Sequence, residues 1–337
     1  MKKKTKKILL GSAFAAGLLH SAYRGVTRYM VKAALDRHPP KHTQETEQRL
    51  SGGGIDPQVE SLLQEAARQL EEKRHQEVIL EAHDGVCLCG HWFGRGNAKR
   101  VILAMHGWRS GWCHDFGAVA NFWLDNDCSV LIPEQRAQGK SGGKYMGFGL
   151  LERYDCLSWL HWLNESGCAS LPIYLCGISM GAASVLMAAG LELPGNVRGI
   201  IADSGYTSPG AVWKHVADRN LGIHFDFWRV GAQAMCKRRL KVGMDDYTCP
   251  QAMAVCPVPV LFIHGTDDQF VPVEMTMENF HACTAPKELL LVPGAGHGMS
   301  YFVDADAYRA AILKFWERWD PAPWHGEQEE MSPKKTE

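Results

Sequence analysis

Short apolar runs separated by polar, helix-patterned stretches recur along most of this 337-residue chain. The runs at 78–80 and 86–93 flank Asp84-Gly85, the pattern of a β-hairpin. Apolar runs follow at 101–105, 128–132, 171–176, 197–202, 258–263 and 287–292, and each is too short to be a helix of ordinary length. Helical segments rich in strong helix formers lie between them, as at Ala182-Ala-Ser-Val-Leu-Met-Ala-Ala189. Strands alternating with helices predict an α/β fold, a mostly parallel sheet covered by helices on both faces. The alternation fails between Gly205 and Cys256, where Trp213, His215, Phe225, Phe227, Trp228 and Lys237-Arg-Arg239 stand instead. An insertion there, over about 205–256, is expected to cap the carboxyl edge of the sheet.

Outside that region the pattern divides the chain further. Residues 1–35 carry Lys2, Lys3, Lys4, Lys6, Lys7, Arg24, Arg28 and Lys32 without an acid, around an apolar run at 8–19. That run is short of the roughly 20 apolar residues a membrane span needs. It is read as a membrane-directing segment outside the globular domain, with a helix packed on that domain as the alternative. A chain begun near Asp56 is then expected to be soluble and active. Residues 36–58, with Pro39-Pro40 and Ser51-Gly-Gly-Gly54, form a linker, 59–76 a helix, 77–320 the domain, and 321–337 a disordered tail.

Composition narrows the function classes. A net charge of −1 implies no nucleic-acid-binding surface. The eleven cysteines stand singly, with no CxxC and no zinc-type spacing, so buried thiols are expected and no metal or cofactor is called for. The chain is expected at a membrane, on a side the charges leave open, or else in the cytoplasm. Oligomeric state is not legible.

In an open α/β sheet, ligands bind beyond the carboxyl ends of the strands, so the residues that follow each run are the candidates for chemistry. They are His106-Gly-Trp-Arg, Gly177-Ile-Ser-Met-Gly181, Ala202-Asp-Ser-Gly, His264-Gly-Thr-Asp-Asp and Pro293-Gly-Ala-Gly-His-Gly298. Ser179 sits between two glycines where a strand turns sharply into a helix, which lifts its hydroxyl clear of the backbone. Serine, acid and histidine in that chain order suit nucleophilic acyl transfer: a histidine activates the hydroxyl and an acid holds the histidine. His297 is the expected base, and the acid lies among Asp267, Asp268 and Asp203. His106 and His264 are expected to be structural. The backbone N–H groups of Trp108 and Met180 are the expected oxyanion donors, and Trp213 and Trp228 the expected walls of a substrate pocket.

With these motifs together, residues 77–320 resemble the α/β-hydrolase superfamily, and within it the bacterial serine hydrolases grouped with the serine aminopeptidases. Glu134-Gln-Arg-Ala-Gln-Gly-Lys-Ser is similar to that group's Arg-x-x-Gly-x-Ser loop. The pattern His-Gly-x-x-Asp-x-x-Val-Pro selects Asp268 as the acid. The resemblance implies the α/β-hydrolase fold, a Ser179-Asp268-His297 triad and hydrolysis of a carboxylic ester, thioester or amide of a small acyl substrate through an acyl-enzyme. Two alternatives stand beside it: an aminopeptidase, with Glu152 or Asp155 holding the substrate ammonium, and a non-catalytic relative that binds a ligand.

Overall fold

The computed structural model describes residues 2–40 and 57–320, with side chains from Gly17 onward. The 36–58 linker lies mostly outside these residues, and the 321–337 tail and the Lys2–Lys7 side chains lie wholly outside them. Helix α1 (Lys2–Leu35) precedes α2 (Pro57–Glu72), and the sheet begins with β1 (Gln76–Glu81).

The strands of the sheet match the apolar runs closely: β2 (Cys87–Phe93), β3 (Arg100–Met105), β4 (Cys128–Glu134), β5 (Ile173–Ile178), β6 (Val197–Asp203), β7 (Val260–Gly265) and β8 (Lys287–Val292). Their order is β1-β2-β4-β3-β5-β6-β7-β8. Strand β2 runs antiparallel to β1 and β4, and every pair from β4 to β8 is parallel. Side chains on both faces of β4 and β7 are buried, as a parallel sheet sandwiched between helices requires. One core layer packs α4 (Glu152–Leu163) and α5 (Met180–Ala188) against the sheet through residues such as Leu103, Trp159 and Leu186. The other layer packs α3 (Trp112–Asp125) through Phe116 and Trp123 and the carboxyl-terminal helix through Phe315 and Trp316.

The expected insertion lies between β6 and β7. It contains α6 (Pro209–His215), α7 (Phe225–Leu240) and α8 (Cys249–Met253). Thr248 caps α8 reciprocally with Gln251, and Ser208 caps α6, so each short helix carries its own start signal.

The amino-terminal boundary at residue 35 needs correction. Val31 and Leu35 are buried in the first core layer. The indole of Trp108 donates to the Ala34 carbonyl (2.9 Å), and Arg109 donates to the carbonyls of Ala33 (2.9 Å) and Asp36 (2.8 Å). The N–H of Met146 donates to the Leu35 carbonyl (2.8 Å). The carboxyl-terminal turns of α1 are therefore part of the domain, because two buried aliphatic side chains and the helix's orphan carbonyls all find partners there. No helix of the described residues is long and apolar enough to cross a membrane.

Candidate active site

Ser179 stands between β5 and α5 with φ +56° and ψ −114°, outside the comfortable region for a residue with a Cβ. The glycines on either side make this turn sterically feasible. A Cβ on Gly177 would lie 2.3 Å from the Gly181 backbone, and one on Gly181 would lie 1.8 Å from the Met105 carbonyl oxygen. The N–H of Ser179 donates to the Asp203 carbonyl (2.9 Å), which fixes the turn against β6.

Three of the expected residues meet here. His297 Nε2 lies 2.9 Å from Ser179 Oγ, and His297 Nδ1 lies 2.6 Å from Asp268 Oδ2. The other carboxylate oxygen of Asp268 accepts the N–H groups of Phe270 (2.9 Å) and Val271 (2.8 Å). Burial pushes the Asp268 carboxyl up, but the neighbouring His297 and His264 outweigh it and hold the group well below the usual carboxylate range. Burial likewise disfavours charge on His297, yet the Asp268 carboxylate more than offsets it, and the imidazole is raised above its ordinary value. The arrangement supplies a hydroxyl, a base in contact with it and a fixed anion behind the base.

The competing acids are occupied elsewhere. Asp267 is exposed and accepts from Thr266 Oγ1 (2.9 Å). Asp203 is buried and accepts from the hydroxyls of Ser204 (3.0 Å) and Ser300 (3.1 Å), and burial pushes its carboxyl up to about 6. His264 braces the acid's loop, its ring nitrogens 2.7 Å from Thr276 Oγ1 and 2.9 Å from the Val271 carbonyl. His106 bonds the Gly107 carbonyl (2.8 Å) and accepts the Gln135 N–H (3.0 Å), and burial holds it below its ordinary value. Glu152 and Asp155 hold no site for an ammonium. Glu152 accepts the N–H groups of Gly147 (2.6 Å) and Gly149 (2.8 Å), while Asp155 pairs with buried Arg136 (2.5 Å).

Around Ser179 the remaining expectations divide. Met180 opens α5, so its N–H has no partner within the helix. Trp108 lies in the turn after β3, and a Cβ on Gly107 would sit 3.6 Å from Ser179 Cβ, so this turn borders the serine. Asp115 pins the turn by accepting the Gly107 N–H (2.6 Å) and the Ser110 hydroxyl. Sequence reasoning missed Asp115, because nothing local distinguishes it from an ordinary acid in a helix's first turn. Trp213 lines an apolar cavity of about 210 Å³ with Trp108, Phe148 and Phe270, and the Phe270 ring lies 5.0 Å from the His297 ring. Trp228 does not line it. It stacks on Tyr23 of α1, ring centroids 5.0 Å apart, because its position on α7 faces the amino-terminal helix. In its place Tyr29, Met30, Ala33 and Ala34 of α1 complete the wall. Their spacing of three and four residues was the one available signal for this.

Among the described residues, Cys89, His91 and Glu134 bring ligand-type atoms within 4.8 Å of one another. His91 Nε2 is already 2.9 Å from Glu134 Oε1, and burial pushes the Cys89 thiol up to about 11.

Comparison with known proteins agrees with this architecture. The chain is 28% identical over 249 residues to YqkD of Bacillus subtilis (strain 168), covering 73% of this chain and 80% of that protein. It is 26% identical to YfhR of Escherichia coli (strain K12), covering 71% and 80%. Its fold is similar to the Pyrococcus furiosus esterase Pf2001, with TM-score 0.60 and 23% identity, over 75% of this chain and 96% of that one. It is also similar to the esterase EaEST of Exiguobacterium antarcticum, with TM-score 0.54 and 16% identity, over 72% and 100%. Residues 101–311 match the model of the "Alpha/beta hydrolase family". Because that match spans most of the chain and the sheet has the order and strand directions described above, the chain belongs to the alpha/beta hydrolase family.

Proposed function

We propose that this protein is a serine hydrolase that cleaves a carboxylic ester with an apolar acyl group through an acyl-enzyme. The contact of Ser179 Oγ with His297 Nε2 at 2.9 Å, backed by Asp268, carries the reading. In this reading Ser179 Oγ attacks the ester carbonyl as His297 Nε2 takes its proton. Asp268 keeps the other ring nitrogen protonated and stabilises the imidazolium. The N–H groups of Met180 and Trp108 receive the oxyanion, each contributing about 2.7–4 kcal/mol to lowering the barrier. His297 returns the proton to the departing alkoxide, and water then releases the acid by the same steps in reverse order.

The apolar cavity supports an ester over a peptide. An engineered cavity of about 150 Å³ holds benzene, so 210 Å³ suits an acyl chain of about eight carbons. The aminopeptidase reading loses its support, since Glu152 and Asp155 are spent on buried partners. A fluorophosphonate probe should label Ser179, and the preferred p-nitrophenyl ester should be one of intermediate chain length. An unlabelled Ser179 would leave a non-catalytic binding protein, and preference for aminoacyl-anilides would restore the peptidase.

A further inference from the structure

Helix α1 separates two cavities of opposite character. The apolar one has been described. The other, of about 710 Å³, lies between α1 and α7 and is lined by Arg24, Arg28, Arg238 and Arg239 with no acid among its lining residues. Arg239 pairs with Asp36 and lies over the Tyr145 ring, which leaves it fixed in place. Among the described residues Arg24, Arg28 and Arg238 form no ion pair, and the Asp36 carboxylate that also acts on Arg28 is already paired with Arg239, so basic groups outnumber acids around the concavity. Its walls are ordered by packing. The N–H of Gly231 donates to the Tyr23 hydroxyl (3.1 Å), and a Cβ at Gly231 would come within 2.9 Å of that oxygen. Tyr23 is itself held by the stack on Trp228 and the edge of Phe227.

We infer that this cavity binds the phosphate of an anionic bilayer lipid and seats the α1–α7 face on a membrane surface. Guanidinium groups match phosphate oxygens bidentately, and a concave cluster of them concentrates the field on an anion. A free phosphate ester has the same chemistry, but the surroundings favour a lipid. Leu19 is 72% exposed, Phe227 66% and Val230 79%, and Leu18, Val26 and Tyr29 are exposed on the same two helices. Phe227 packs on Tyr23 and Val230 adjoins Gly231, both of which line the basic cavity. Apolar side chains exposed beside basic groups are the pairing that holds a protein at an interface, where charge or apolar area alone binds weakly. Val26 and Tyr29 of the same helix line the apolar cavity on its other side.

The test is sedimentation of the full chain with vesicles of phosphatidylcholine alone or mixed with phosphatidylglycerol. Binding is expected only with the anionic lipid and should weaken with added salt. Arg24→Gln/Arg28→Gln/Arg238→Gln should lower partitioning about a hundredfold, about fivefold for each arginine removed. Phe227→Ser/Val230→Ser should also lower it. Arg309→Gln/Lys314→Gln/Arg318→Gln, which removes the same charge from the helix of the other core layer, should not. Cooperative melting of each variant checks folding. Unchanged partitioning of the first triple variant overturns the proposal, and so does equal loss in the second. Stabilisation by glycerol phosphate without vesicle binding would assign the cavity to a soluble phosphate ester and overturn the membrane. A dimer by light scattering that Phe227→Ser/Val230→Ser splits, again without vesicle binding, would make the face a contact between copies and overturn it equally.

Discussion

The φ of +56° at Ser179 is a strained conformation for a residue other than glycine, of the kind that costs about 1–3 kcal/mol and collects at functional sites. Alanine at 179 keeps the same Cβ and the same strain. Ser179→Ala should therefore melt close to the parent while ester turnover falls by 10⁴-fold or more, read by p-nitrophenyl ester kinetics beside calorimetry. The acid is separable in the same way. Asp268→Asn should cost about 10⁴ in kcat, because the amide favours the wrong imidazole tautomer, whereas Asp267→Asn should change it little. The pH profile carries its own sign. Burial lowers the His297 pKa, but the Asp268 carboxylate raises it further, so it stands above the ordinary 6.5. The base must be neutral, so kcat/KM should fall as pH drops through a value above 6.5. In Asp268→Asn the largest raising charge is gone, only Asp203 and Asp115 still act against burial, and the acid limb of the remaining activity should move to lower pH.

At the scale of elements, α1 departs most from expectation. A chain begun near Asp56 would lose the Tyr29–Ala34 wall of the cavity and the partners of Trp108 and Arg109, so it should be less stable and less selective, not indifferent. Leu35→Ala isolates the packing contribution. The side chain is fully buried, and its loss should destabilise the domain by about 2–5 kcal/mol in denaturant unfolding. The two insertion tryptophans should behave differently. Trp213→Ala enlarges the cavity and should shift preference towards longer esters in a chain-length panel. Trp228→Ala should leave that preference alone and lower the melting temperature, since its ring packs on Tyr23 and Phe227.

Across the molecule, the two core layers share one eight-stranded sheet, and the end of α1 is buried in one of them. Amide protons of residues 27–35 should then exchange as slowly as those of the domain's helices, while those around the exposed Leu18 and Leu19 exchange early. Equal fast exchange along all of α1 would detach the helix from the domain. All eleven cysteines are free thiols, ten of them buried or half-buried, which agrees with their scattered spacing.

Much of this was legible in the sequence, and the reason is local. A strand buried on both faces must be a short apolar run, so β3 to β7 could be read directly, and the half-buried edge strand β8 still showed as the run Leu289-Leu-Leu-Val292. The serine turn was legible because two glycines are the steric condition for it. So was the edge where Ser179, Asp268 and His297 stand, since every parallel strand delivers its following residue to the same side of the sheet. The pattern around Asp268 already selected it over Asp267, and tertiary structure supplied the reason, because the two adjacent carboxylates point into different surroundings. Tertiary structure alone decided that Glu152 and Asp155 are spent, and that α1 closes a cavity whose other walls lie about seventy residues away or more in sequence. Those contacts depend on how distant segments pack. A hydrophobic pattern records that a side chain is buried, and it does not record against what.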